Sequence, residues 1–158
     1  MSVQIIRKNP GWLDQLLGRY RQQAELAVGY PLGTSGTSTR YPDGTSVLMV
    51  AAVNNFGSPS RGIPARPFMH EGGPEAVKAT EPVAAVMVPL VNAGKATIED
   101  ALREMGPYAQ GAMQDKITSG PWEPNAPRTV AEKGSAQPLI DTGLLRSTLT
   151  WAVRKPRA

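Results

Sequence analysis

The side chains best able to do chemistry in this chain are few and far apart. His70 is the only histidine. Glu71 and Glu75 stand close to it, but Gly72-Gly73-Pro74 lies between the two acids. One imidazole and two carboxylates across a helix breaker make a poor metal site, and the chain has no cysteine to add a thiolate. A Ser-His-Asp set can be drawn from Ser147, His70 and Asp141. No Gly-x-Ser-x-Gly elbow presents the serine. Glu99, Asp100 and Glu104 share the polar side of an amphipathic stretch, where a solvated face is the simpler reading. Gly33-Thr-Ser-Gly-Thr-Ser lacks the terminal Gly-Lys-Ser/Thr of a phosphate loop.

Asp141-Thr142-Gly143 is the sharpest short motif. The same triplet is the catalytic signature of aspartic proteases, in which a single lobe must dimerise and needs apolar strands around it. Here Pro138-Leu-Ile precedes it and Leu-Leu-Arg-Ser-Thr follows, in a loop-like context. The structural reading is simpler: Asp141 caps a helix or turn by accepting backbone N–H bonds, and Gly143 takes a positive φ. The chain is therefore read as a non-enzyme, with no catalytic residue, metal ligand or cofactor assigned.

The elements that would position these residues read as follows. Residues 3–6 suggest a short strand. Asn9-Pro10 opens a helix in which Trp12, Leu13, Leu16, Leu17 and Tyr20 share one face. Residues 24–30 read as a strand, residues 31–45 as a polar loop with an Asp43-Gly44 turn, and residues 46–53 as a second, fully covered strand pairing antiparallel with the first. Pro59, Pro64 and Pro67 make an extended connector. A helix is expected from about 67 to 91, interrupted at Gly72-Gly73-Pro74, kinked at Pro82 and ended by Gly94. The next, over 97–117, starts with Thr97 and Asp100 as a capping box and carries the stripe Ile98, Ala101, Leu102, Met105, Ala109, Met113, Ile117. Gly106-Pro107 predicts a bend in it.

Residues 118–143 hold Pro121, Pro124, Pro127 and Pro138 with Gly120, Gly134 and Gly143, and read as a long arm. Trp122 cannot bury itself within such an arm. It either folds back on its own domain or anchors in a neighbouring chain. Residues 144–153 read as a last strand. The expected fold class is α+β: a small antiparallel sheet packed by two or three helices, with a long Pro/Gly-rich arm near the C-terminus. The expected division is a compact core over 1–117, the arm over 118–143, and a strand with a basic tail over 144–158, all within one domain.

Composition sets outer limits. At 158 residues, 41% hydrophobic, the chain can bury one core. Its 16 glycines and 15 prolines make about a fifth of the residues, against roughly 12% in average usage. The lack of cysteine excludes a disulfide-dependent scaffold. Net charge is +4. Arg146, Arg154, Lys155 and Arg157 follow the last acid, Asp141. A modest excess of this kind can attract nucleic acid through phosphates, although no long Lys/Arg run supports it. No signal-peptide pattern is expected at the start, and the longest apolar run, 83–91, contains Pro89 and is too short to span a membrane.

Several segments together resemble one family. Asn54-Asn-Phe-Gly followed by Ile63-Pro-Ala-Arg-Pro-Phe-Met resembles the "N-E-F-G … I-P-A-R-P-F" segment of small tailed-phage morphogenesis proteins. Trp122-Glu-Pro-Asn-Ala-Pro-Arg-Thr-Val-Ala-Glu-Lys-Gly and Pro138-Leu-Ile-Asp-Thr-Gly-Leu-Leu-Arg-Ser resemble that family's "W-x-P-x-x-P-x-T-x-x-x-K-G … P-L-I-D-T-G-x-L-R-x-S" segment, in the same order and spacing. The likeness covers about residues 50–153. It departs at Asn55, where an acid is more usual, and in the proline-rich stretch 72–89.

The resemblance implies a structural virion protein of a long-tailed phage: a tail-completion or neck (head–tail connector) component joining tail to head. It implies a homo-oligomeric ring, expected to be a hexamer, next to a tail terminator, tail tube or head-closure protein. It places the chain in the virion, and in the host cytoplasm during assembly, with no membrane partner. The matching positions Arg66, Phe68, Trp122, Lys133, Asp141, Gly143, Leu145 and Arg146 are then fold and assembly determinants. Residues 144–153 would add to a neighbour's sheet edge. The alternative is a minor tail or head-closure protein touching packaged DNA in the channel through Arg40, Arg154, Lys155 and Arg157. A free-standing DNA-binding module and an Asp-Thr-Gly protease are the remaining readings.

Overall fold

The structure is a computed structural model and describes residue 18 and residues 24–155. The strand expected over 3–6, the helix expected over 12–20 apart from residue 18, and Arg157 lie outside the described residues. The fold is α+β: a two-stranded antiparallel sheet against a mainly helical body. Strand β1, Glu25–Gly29, pairs with β2, Thr150–Arg154, in the register Leu26 opposite Val153 and Val28 opposite Trp151. Two long helices, α3 (Phe68–Asn92) and α4 (Ile98–Ser119), pack along each other, and α4 carries the sheet. Phe68, Ile117, Leu149 and Val47 are fully buried at the centre.

Helix α4 forms as its sequence demands. Thr97 Oγ1 accepts from the Asp100 N–H at 3.0 Å, and Asp100 Oδ2 accepts from the Thr97 N–H at 2.9 Å. Ala109, Met113 and Ile117, one turn apart, enter the core. Gly106 lies under the Trp151 ring of β2, where a Cβ would collide with it, so this glycine lets the sheet sit on the helix.

The expected second strand over 46–53 is instead helix α2, Val47–Phe56, which follows a single-turn α1 at Ser35–Ser38. An eight-residue apolar run does not separate buried strand from helix by periodicity. Leu, Met and Ala favour helix, and Val47, Ala51 and Asn55 are buried at a spacing of four. The expected hairpin is therefore absent. The Asp43-Gly44 turn does form, with Gly44 at φ 83° and its N–H on the Tyr41 carbonyl at 2.9 Å, but it leads into a helix. The true partner of β1 comes from the far end of the chain.

Gly72-Gly73-Pro74 does not interrupt α3, which also runs through Pro82 and Pro89. Gly72 faces α4, where a Cβ would come within 2.6 Å of Met113 Sδ. It is a close-contact residue rather than a break. The segment expected as an arm carries helix α5, Pro127–Lys133, closed by Gly134 at φ 68°. It lies on its own chain: Trp122 is buried, with Nε1 donating to the Ile117 carbonyl at 3.0 Å. The last expected strand begins as a helical turn, α6 (Leu144–Ser147), because Gly143 at φ 76° starts it, and only then becomes β2.

Candidate functional site

The residues that carry the motif blocks meet around Arg66. Pro64 and Pro67 hold its segment extended after α2, and its backbone N–H donates to the Asn54 carbonyl at 2.7 Å. The residue is only 4% exposed. Its guanidinium donates from Nε to the Glu123 carbonyl (2.9 Å) and from Nη1 to Asn54 Oδ1 (3.1 Å). Nη2 reaches the Pro124 carbonyl and Asn125 Oδ1, both at 3.2 Å. One planar fork thus ties the end of α2 to the chain after Trp122. Burial pulls its pKa below the ordinary arginine value, and Glu123 opposes the shift.

Asn125 continues the network through Nδ2 to the Gln137 carbonyl at 3.3 Å, which also accepts from Lys133 Nζ at 3.1 Å. Gln137 Nε2 in turn donates to the Thr118 carbonyl at 2.9 Å. Residues 118–143 are therefore a strapped loop. Leu139 closes it, buried and at φ 59°, a conformation that a branched side chain holds only when packing demands it.

Beside this joint is a cleft of about 510 Å³. Arg66, Lys133, Asp141 and Leu145 line it with Tyr41 and Asn125. Lys133 is depressed from its ordinary pKa by burial; Asp141 opposes this and Arg66 adds to it. Tyr41 is raised by burial and then by the Asp141 charge. Arg66 and Lys133 face Asp43 and Asp141 here, so cationic and anionic side chains are balanced. Four of the five guanidinium N–H donors are spent on the protein's own acceptors.

The other expected residues serve the same packing. Phe68 starts α3 in the core. Leu145 is buried, and its carbonyl accepts from the Tyr30 hydroxyl at 2.6 Å. Arg146 donates from Nε to the Gln114 carbonyl at 3.1 Å and pairs with Asp115 at 3.4 Å, pinning α6 to α4. At the Asp141-Thr142-Gly143 motif, Gly143 takes the positive φ expected of it. The helical turn has no side-chain cap, however: the side-chain oxygen that accepts a backbone N–H there is Thr142 Oγ1, 3.3 Å from the Leu144 nitrogen, rather than one of Asp141.

The weighed chemical sets do not assemble among the described residues. His70 is exposed on α3, while Glu71 and Glu75 pair with Lys116 at 3.5 and 3.0 Å. Ser147 Oγ donates to the Leu144 carbonyl of its own turn. No group of His, Cys, Asp and Glu among the described residues is placed to hold a metal ion. Of the basic positions, Arg40 Nη1 donates to the Gly44 carbonyl at 3.1 Å, Arg154 pairs with Glu25 at 2.5 Å, and Lys155 is exposed.

Sequence reasoning missed the partners. Asn54 opens the Asn54-Asn-Phe-Gly segment and Asn125 lies within the Trp122 block, but neither segment marks them as acceptors; Gln114 has no local pattern, and only the fold brings the three to the arginines. Asn55 had one readable signal, its place where an acid is more usual. Its Oδ1 accepts the Met69 N–H at 3.0 Å, capping the start of α3 across the loop, and a carboxylate can do the same. Comparison with known protein families, with curated proteins and with solved structures finds no match to this chain.

Proposed function

We propose that the chain is a structural virion protein of a long-tailed phage, a ring-forming tail-completion or neck component that joins tail to head. The observation that carries the reading is the convergence of the motif blocks. Arg66, from the Ile63–Met69 block, grips Glu123, Pro124 and Asn125 from the Trp122 block, and Lys133, Asp141 and Leu145 line the same cleft. A chance likeness between short strings gives no reason for distant blocks to meet in space. Parts of one inherited fold do.

A surface for self-assembly is also at hand. Helix α2 contains no charged residue, yet on its outer side Leu48, Met49 and Phe56 are 39%, 60% and 79% exposed. A helix apolar all round is ordinarily covered all round. Ring closure uses head-to-tail contacts between unlike faces, and this face is suited to be one of them. In this reading the ring forms by docking of preformed faces. The exchange of an arm is not required, because Trp122 is spent within its own chain.

Electron cryomicroscopy of the intact virion tests the assignment. The expected result is a ring of this fold at the head–tail joint, and filled heads with unattached tails when the chain is missing. Joined, infectious particles made without the chain would contradict it.

A further inference from the structure

The cleft beside Arg66 is apolar at its floor and charged at its mouth. Leu139 and Leu145, both buried, lie at the floor with Val50 and Ile63, while the exposed Asp43 and Asp141 stand at the mouth. At about 510 Å³ it falls within the usual size of a ligand pocket. An apolar floor inside a polar rim is the form of a pocket that receives an aromatic or aliphatic anchor from a protein partner.

Helix α2 borders this cleft with one side and is uncovered on another. Val50 and Asn54 turn toward the cleft. Met49 and Phe56, about two helical turns apart, point elsewhere, roughly 130° around the helix axis. The exposed Phe56 is a projection and the cleft is a hollow. One flat contact cannot contain both, so a self-matched two-fold pair does not bring them together. A projection and a hollow on different sides of one molecule match head to tail, from each copy to the next. Charge agrees with that match. Helix α2 itself carries no charge. Just past Phe56 stands Arg61, exposed, its side chain in no hydrogen bond or ion pair among the described residues. The Asp141 carboxylate at the cleft mouth is likewise in none among them.

We propose that the cleft receives a second copy of this chain: Met49 and Phe56 of one copy enter the cleft of the next, over Leu139 and Leu145, and Arg61 of the first meets Asp141 of the second at the mouth. This rests on the ring-forming function proposed above and gives that ring its second face.

Two full-length variants that each keep one half of the contact test it by native mass spectrometry. Thr129→Trp fills the cleft from α5 and leaves α2 untouched. Met49→Asp with Phe56→Asp removes the projection and leaves the cleft. Each variant alone should be monomeric. Mixed in equal amounts, they should give a dimer with one copy of each and nothing larger, because only one projection and one open cleft remain per pair. A ring from the Thr129→Trp chain, or a mixture that stays monomeric, would overturn the cleft as the partner surface and leave the ring itself standing. No ring from the unaltered chain would overturn both. Charge reversal gives a second reading that does not depend on a new indole in α5. Asp141→Arg and Arg61→Asp should each weaken assembly at least about tenfold, and the two in one chain should restore it. Unchanged assembly in the single variants, or weakening without restoration in the double variant, would equally overturn the proposal.

Discussion

Arg66 shows what a single residue contributes here. Its charge is buried without a carboxylate contact. It is satisfied instead by two backbone carbonyls and two side-chain amide oxygens. Removing it leaves those acceptors unpaired in a closed joint, which costs more than the bonds themselves contribute. Arg66→Ala should lower unfolding stability by about 3 kcal/mol, and Arg66→Lys should recover less than half of that, because an ammonium cannot reproduce the fork. Urea denaturation of the two variants measures both. Arg66 itself was legible from its motif. Its acceptors were not: Asn54 and Asn125 stand in motif blocks of their own, 12 and 59 residues away, and nothing in those blocks says that they meet Arg66.

At the scale of elements, success followed local signals. Helix α4 was readable because its cap, its four-residue stripe and its length all agreed. Strand β1 was readable as a strand, yet not its partner, because pairing with residues 150–154 is decided by tertiary packing. Helix α2 was misread because a short run apolar on all sides has no period to read, and α3 because packing on α4 outweighs its glycines and prolines. The α4 cap also gives a pH prediction. Hydrogen bonds from the Thr97 hydroxyl, then from its backbone N–H, hold the Asp100 carboxyl below its ordinary range. A carboxyl depressed in the folded state adds stability that is fully present above the unfolded value, about 4, and is lost as pH falls through the lower folded value. Thr97→Ala removes the N-cap acceptor of the Asp100 N–H and should cost about 1 kcal/mol at neutral pH. The gap between the variant and the parent should narrow as pH falls below about 4. Thermal unfolding followed across that range checks it.

For the whole molecule, the central feature is a chain that locks its own loop-rich segment and still leaves an uncharged helix face uncovered. The strap from Arg66 through Asn125 and Gln137 makes residues 118–143 part of the body, so the ring proposed here must be built from surfaces that exist before assembly. The outer face of α2 is the one to test. Native mass spectrometry of the full chain, unaltered and carrying Met49→Asp with Phe56→Asp, addresses the claim most directly. A closed ring of defined copy number is expected for the unaltered chain and folded monomers for the variant. A monomer at every concentration in the unaltered chain, or a ring that survives both substitutions, would contradict it.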